Sequence, residues 1–186
     1  RDTSDDSMVK VSGFHIRNSM DLQNENIQVG EIQRIINVAV GKEITLAELE
    51  ELADSISHYL QQQGYLVGFA YIPAQDIKDG VIEIGIMVGR YDKIQIHNTS
   101  RLADQRITRI LNSLQHGDVI KEGVLTSTLL TLSDIPGIVL TSTLVPGSVS
   151  GTSNLIVDIT DGNRLTGAVY SGNHNNNFTG QERMGT

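Results

Sequence analysis

Five histidines, His15, His58, His97, His116 and His174, are the side chains here best suited to hold a metal or move a proton. A zinc site gathers several ligands, commonly with two of them one helical turn apart. No two of these histidines stand four residues apart, none has a cysteine beside it, and no carboxylate cluster completes a ligand spacing. They read as surface or partly buried polar residues. GSVSG, at 147–151, has the glycine spacing of a nucleophile elbow, but Val149 occupies the centre where a serine would be needed. Gly41-Lys42 lacks the earlier glycine and the following Ser or Thr of a phosphate loop. Gly85 and Gly89 fall in a strand pattern and cannot form a dinucleotide loop. Glu48, Glu50 and Glu51 crowd a helix start, where the macrodipole favours negative charge. Asn98-Thr99-Ser100 and Asn177-Phe178-Thr179 match the glycosylation sequon, a pattern common by chance. With no constellation able to do chemistry, the expectation is a binding protein, not an enzyme, needing no cofactor and no metal.

Composition narrows the partners. The net charge of −8 gives no attraction for phosphate backbones, so nucleic acid is not an expected partner. A small-molecule substrate is not expected either. No apolar run reaches the roughly 20 residues of a membrane helix. The absence of cysteine excludes disulfides and thiol chemistry. The opening RDTSDDS has no apolar signal-peptide core. At 39% apolar residues over 186, two small cores are as feasible as one larger one.

The hydrophobic pattern supplies the elements. Residues 8–16 alternate as a strand broken near Gly13, and 30–40 show mostly helical spacing. The firmest helix spans 45–63, opening on the capping box Thr45-Leu-Ala-Glu48 and closing at Gly64. Runs at 66–72 and 81–88 flank Pro73 and the Asp79-Gly80 turn, which predicts an antiparallel hairpin. The order then repeats: a strand at 91–97, helices at 101–114 and 122–133, and strands at 138–144 and 155–159, with Asp118 a candidate helix N-cap. The expected fold class is α+β, two copies of β-α-α-β-β. Their boundaries are a flexible start at 1–7, a first domain at 8–89, a second at 90–161, and a segment of different, Asn- and Gly-rich character at 162–186.

Certain segments carry a resemblance. SHYLQQQGY at 57–65, followed by IPAQDIKDGVIEI at 72–84, then LSDIPGI at 132–138 and LVPGSVSGTSNL at 144–155, resemble in order and spacing the POTRA (polypeptide-transport-associated) domains of two-partner secretion transporters of the haemolysin-activator and filamentous-haemagglutinin type. Met87-Val88-Gly89 departs from that pattern, in which an acidic residue more often precedes the glycine. The resemblance implies a three-stranded mixed sheet in each domain, strand order one-three-two, with two helices on one face. It also implies that NNFTGQER, at 176–183, belongs to the start of a truncated C-terminal transmembrane β-barrel; by composition alone the same segment would be a disordered tail.

The same resemblance implies a periplasmic module of the outer membrane, working beside its own barrel. Its expected partner is the unfolded N-terminal secretion domain of one exoprotein of the haemolysin, adhesin or contact-inhibition toxin class. The order one-three-two leaves the second strand as an open edge, where an extended segment can add by main-chain hydrogen bonds. The expected docking residues are Ile138, Leu140, Ser142 and Leu144 on the second-domain edge, Leu125 and Leu129 lining a groove beside it, and Phe69 and Tyr71 as first-domain counterparts. The competing view of these apolar side chains is that they are core. The alternative functions are a general outer-membrane protein assembly factor and an unrelated α+β enzyme.

Overall fold

The computed structural model describes residues 7–162, so nearly all of the expected flexible start and of the expected barrel segment lies outside the described residues. The described chain forms two compact units, one from 7–63 and 68–88, the other from 64–67 and 89–162.

In the first unit, β1 (Val9–Lys10) is followed by β2 (Gly13–Arg17), α1 (Ser19–Asn24), α2 (Val29–Asn37), β3 (Glu43–Ile44), α3 (Leu46–Gln62), β4 (Phe69–Tyr71) and β5 (Val81–Met87). The sheet order is β2-β5-β4, with β2 parallel and β4 antiparallel to the central strand. Leu49, Ala53, Ile56 and Leu60 form the buried stripe of α3, and Ala70, Ile82, Ile84 and Ile86 are buried on the sheet. Thr45 caps α3 by accepting the Glu48 N–H at 3.2 Å. Gly64, with φ of 94°, then ends it in a conformation that a side chain disfavours.

Three features of this unit differ from expectation. The strand expected at 8–16 is two strands in different sheets, because β1 leaves to pair antiparallel with β3. The helix α1 carries only Leu22 as a buried residue, too little periodicity to be seen in advance. The strand expected at 66–72 keeps only Phe69–Tyr71, while Leu66 and Val67 are buried in the core of the second unit.

Pro73 and Gln75 explain where β4 stops. Phe69 faces Met87 and Tyr71 faces Gly85, so the next position of that alternating ladder would set residue 73 against Glu83. Proline has no N–H to give. The Gln75 side chain does the pairing instead: its Oε1 accepts the Glu83 N–H at 2.7 Å, and its Nε2 donates to the Glu83 carbonyl at 3.0 Å.

The second unit contains β6 (Arg90–Asn98), α4 (Asp104–Leu111), α5 (Glu122–Ser133), β7 (Ile138–Pro146) and β8 (Thr152–Asp161). Its order is β6-β8-β7, again one-three-two, with β6 parallel and β7 antiparallel to β8. The core joins Ile107, Leu111, Leu125, Leu129 and Leu132 of the helices to Leu140, Leu144, Leu155, Val157 and Ile159 of the sheet. Asp118 is not the N-cap of α5; Lys121 holds that position, and the Asp118 carboxylate instead accepts the Gln115 N–H at 3.0 Å.

Replacing Gln75 with Ala leaves the Glu83 N–H and carbonyl without their partner, an expected loss of about 1–3 kcal/mol in urea unfolding. An unchanged midpoint would show that water substitutes fully for the amide.

Candidate strand-docking edge

The hydrogen bonds at the two ends of the β7–β8 hairpin fix the direction of every backbone group between them. Gly162 donates to the Gly137 carbonyl at 3.0 Å, and Gly147 donates to the Thr152 carbonyl at 2.9 Å. In an antiparallel pair, directly opposed residues alternate between bonded and non-bonded positions. Residues 137 and 147 are therefore bonded positions, as are Val139, Thr141, Thr143 and Val145 between them. The N–H and C=O groups of Ile138, Leu140, Ser142 and Leu144 point the other way, out from the free edge. Pro146 closes the series because it has no donor.

The four residues expected at the edge are thus the ones whose backbones face it. Their side chains do something else: Leu140, Ser142 and Leu144 are buried on the helix-covered face, with Ile138 packed against the same core. Leu125 and Leu129 follow the competing view and not the groove-lining one. Both are completely buried in the core and line no open groove. The residue missed beside them is Leu130, 46% exposed. Thr128 hydrogen-bonds Ser113, just beyond α4, at 3.1 Å. At 3.6 residues per turn, the flank of α5 turned away from α4 then carries Thr126, Leu130 and Ser133, with Glu122 one turn before Thr126. Since α5 packs against β7, that flank borders the free edge.

The opposite edge of this sheet is protected. The β6 sequence RYDKIQIHN carries Arg90, Asp92, Lys93 and His97, charged or ionisable groups of the kind that discourage strand pairing. Its start is also covered: Tyr91 donates to the Asp118 carbonyl, Gly117 donates to that of Tyr91, and Arg90 bridges Val119. β7, IVLTSTLVP, has no charged residue.

The first-unit edge is closed in another way. Ala70, in the middle of β4, donates its N–H to Ser57 Oγ on α3 at 2.8 Å, so this outward donor is already taken. Phe69 and Tyr71 are half-buried, their ring centroids 5.9 Å apart. The Tyr71 ring lies where a Cβ on Gly85 would sit, packed flat on the sheet.

The loop joining β7 to β8 is pinned to β6. Asp92 accepts from Ser148 Oγ at 2.6 Å and from the Ser148 N–H at 2.8 Å, and His116 donates to the Asp92 carbonyl at 2.6 Å. The side-chain hydrogen bond from Ser148, then its backbone bond, hold the Asp92 carboxyl below the ordinary aspartate range, with His116 and Lys93 adding to the effect. Elsewhere His58 pairs with Gln62 at 3.0 Å and His97 with Asp158 at 3.1 Å. Among the described residues, no group of three or more His, Asp or Glu side chains is placed to hold a metal ion.

Residues 10–89 match the family model described as POTRA domain, ShlB-type, and the chain carries a domain of that family. The second unit repeats the one-three-two sheet order of the first, and the chain as a whole is similar to known transporter proteins. It is 31% identical over 166 residues to the heme/hemopexin transporter protein HuxB of Haemophilus influenzae, a match covering 89% of this chain and 29% of that protein. It is 27% identical over 141 residues to the outer membrane transporter CdiB of Dickeya dadantii, covering 75% of this chain and 24% of that one. The chain therefore spans less than a third of the length of these relatives. The solved structure of CdiB from Escherichia coli superimposes with a TM-score of 0.66 at 18% identity, over 85% of this chain and 29% of that one, a likeness of fold.

Asp92 gives the pinned loop a pH signature. Its folded pKa is depressed, so its stabilisation is complete above the unfolded value of about 4 and is lost as the pH falls through the lower folded value. Asp92→Asn is expected to lower the melting temperature at pH 7 and to flatten its decline as the pH falls below the unfolded value of about 4. Parallel declines in the two proteins would remove Asp92 from this role.

Proposed function

We propose that this chain is the periplasmic substrate-recognition module of an outer-membrane two-partner secretion transporter. It binds the unfolded N-terminal secretion domain of one exoprotein, of the haemolysin, adhesin or contact-inhibition toxin class, and passes it to the barrel pore. The single observation that carries this is the β7 edge: nine residues without a charge, with the backbone groups of Ile138, Leu140, Ser142 and Leu144 directed outward. Soluble proteins normally protect such an edge with charges, bulges or a covering element. Left open, it accepts an extended segment as a further strand, and the main-chain bonds demand little of the sequence. That suits a client met before it has folded.

The relatives support the setting. One is an outer membrane transporter and another a heme/hemopexin transporter. No helix among the described residues is long and apolar enough to cross a membrane, and a β-barrel would need none. The work of the β4 edge is different, because Ser57 already occupies its central donor. We therefore assign capture to the second unit, with Phe69 and Tyr71 supporting the first sheet.

Two proline variants separate docking from folding. Ser142→Pro removes an outward N–H and leaves the β8 ladder intact, as edge prolines do. It is expected to keep the fold and weaken binding of the secretion domain by about tenfold or more. Thr143→Pro removes a ladder bond to β8 and is expected to destabilise the second unit by about 3 kcal/mol. Circular dichroism and a binding titration read both. Full binding by a folded Ser142→Pro protein would contradict strand addition at β7. Equal binding of unrelated outer-membrane proteins would favour a general assembly role.

A further inference from the structure

The surroundings of the β7 edge say what kind of segment it takes. Of the whole chain 19% is Asp, Glu, Lys or Arg, yet residues 123–133 of α5 and 138–146 of β7 contain none. A strand added to β7 would place alternate side chains on the two faces of the sheet. Those opposite Ile138, Leu140, Ser142 and Leu144 would lie on the helix side, beside the Thr126 and Leu130 flank of α5. Those opposite Val139, Thr141, Thr143 and Val145 would lie on the helix-free side, among side chains that are β-branched. β-Branched residues pair well across strands.

Leu130 is the informative residue. It is a large apolar side chain, 46% exposed, on a helix whose buried stripe is already complete with Leu125, Leu129 and Leu132. It adds nothing to that core, and it stands at the rim of an open sheet edge. A charged client residue arriving beside Leu130 would lose water and find no opposite charge on β7 or on residues 123–133 of α5, Glu122 lying about two turns away, a costly exchange. A neutral one would cover Leu130 and gain its apolar area.

Resting on strand addition at β7 as proposed above, we infer that Leu130 and the uncharged residues 123–133 around it make this edge selective: it takes an uncharged segment of about eight residues rich in Val, Thr and Ser, and rejects Asp or Lys at the helix-side positions beside Leu130. Length is set by the edge, since Pro146 ends the donor series that begins at Ile138. Selection is then by charge and β-branching on one face, and the main-chain bonds stay indifferent to sequence.

The test uses the 186-residue chain and three fluorescent nine-residue peptides. One alternates Val and Thr; the others carry two Asp or two Lys at one set of alternate positions. Binding is followed by anisotropy up to millimolar concentration, for the unaltered chain, Leu130→Asp and Ser142→Pro. The unaltered chain is expected to bind the neutral peptide about tenfold or more tighter than either charged one. Leu130→Asp, at an exposed position, is expected to lose that preference and to favour the Lys peptide over the Asp peptide. If all three peptides bind alike and all are lost in Ser142→Pro, strand addition stands and the charge selectivity is overturned. If the neutral peptide binds Ser142→Pro as well as the unaltered chain, or no peptide binds at all, strand addition at β7 falls and the selectivity with it.

Discussion

A three-stranded sheet has two edge strands, and each turns alternate N–H and C=O groups away from its only neighbour. Water satisfies those groups, but so will any other extended chain, and a protein must either prevent that or use it. In this chain the answers differ from edge to edge. β4 is cut to three residues by Pro73, with the Gln75 amide completing its ladder and Ser57 taking the Ala70 N–H. β6 carries charges and is covered at its start by residues 117–119. β2 presents His15 and Arg17, the latter paired with Glu83 at 2.6 Å. β7 is long, uncharged and, among the described residues, bonded along Ile138–Val145 only to β8.

The parity of the β7–β8 hairpin gives that edge a division of labour within single residues. Leu140, Ser142 and Leu144 bury their side chains under the helices and offer their backbones outward. The packing that stabilises the second unit therefore also fixes the spacing and direction of the outward donors. These buried side chains tie the edge strand to the core, so little ordering of the module itself would accompany docking. The pinning of the 147–151 loop to Asp92 extends the same order to the end of the hairpin.

Much of this was legible in the sequence, and the limits are physical. The capping box at Thr45 and the strong stripe of α3 placed that helix almost to the residue, and Pro136-Gly137 placed the end of α5 and the start of β7. The one-three-two order and the open second-unit edge came from the resemblance and match the sheet. Leu125 and Leu129 stayed open between groove and core because α5 is apolar beyond one stripe: with Leu129 and Leu130 adjacent, periodicity cannot say which faces the core. Gln75 was visible as part of a turn motif, but its part in the ladder depends on the register between Tyr71 and Gly85, which no local pattern encodes. The same holds for Ser57, thirteen positions from the N–H it accepts. β1, β3 and α1 are too short for any period to declare itself.

The central claim is that the client pairs with the outward backbone of β7. Residue-resolved amide hydrogen exchange by NMR tests it directly, in the presence and absence of an unfolded N-terminal secretion domain. Strand addition predicts slowed exchange at the alternating amides of Leu140, Ser142 and Leu144, with Thr141 and Thr143 already protected by β8 and Ala70 unchanged. Binding that leaves the β7 amides as they were, or that protects β4 in their place, would contradict it.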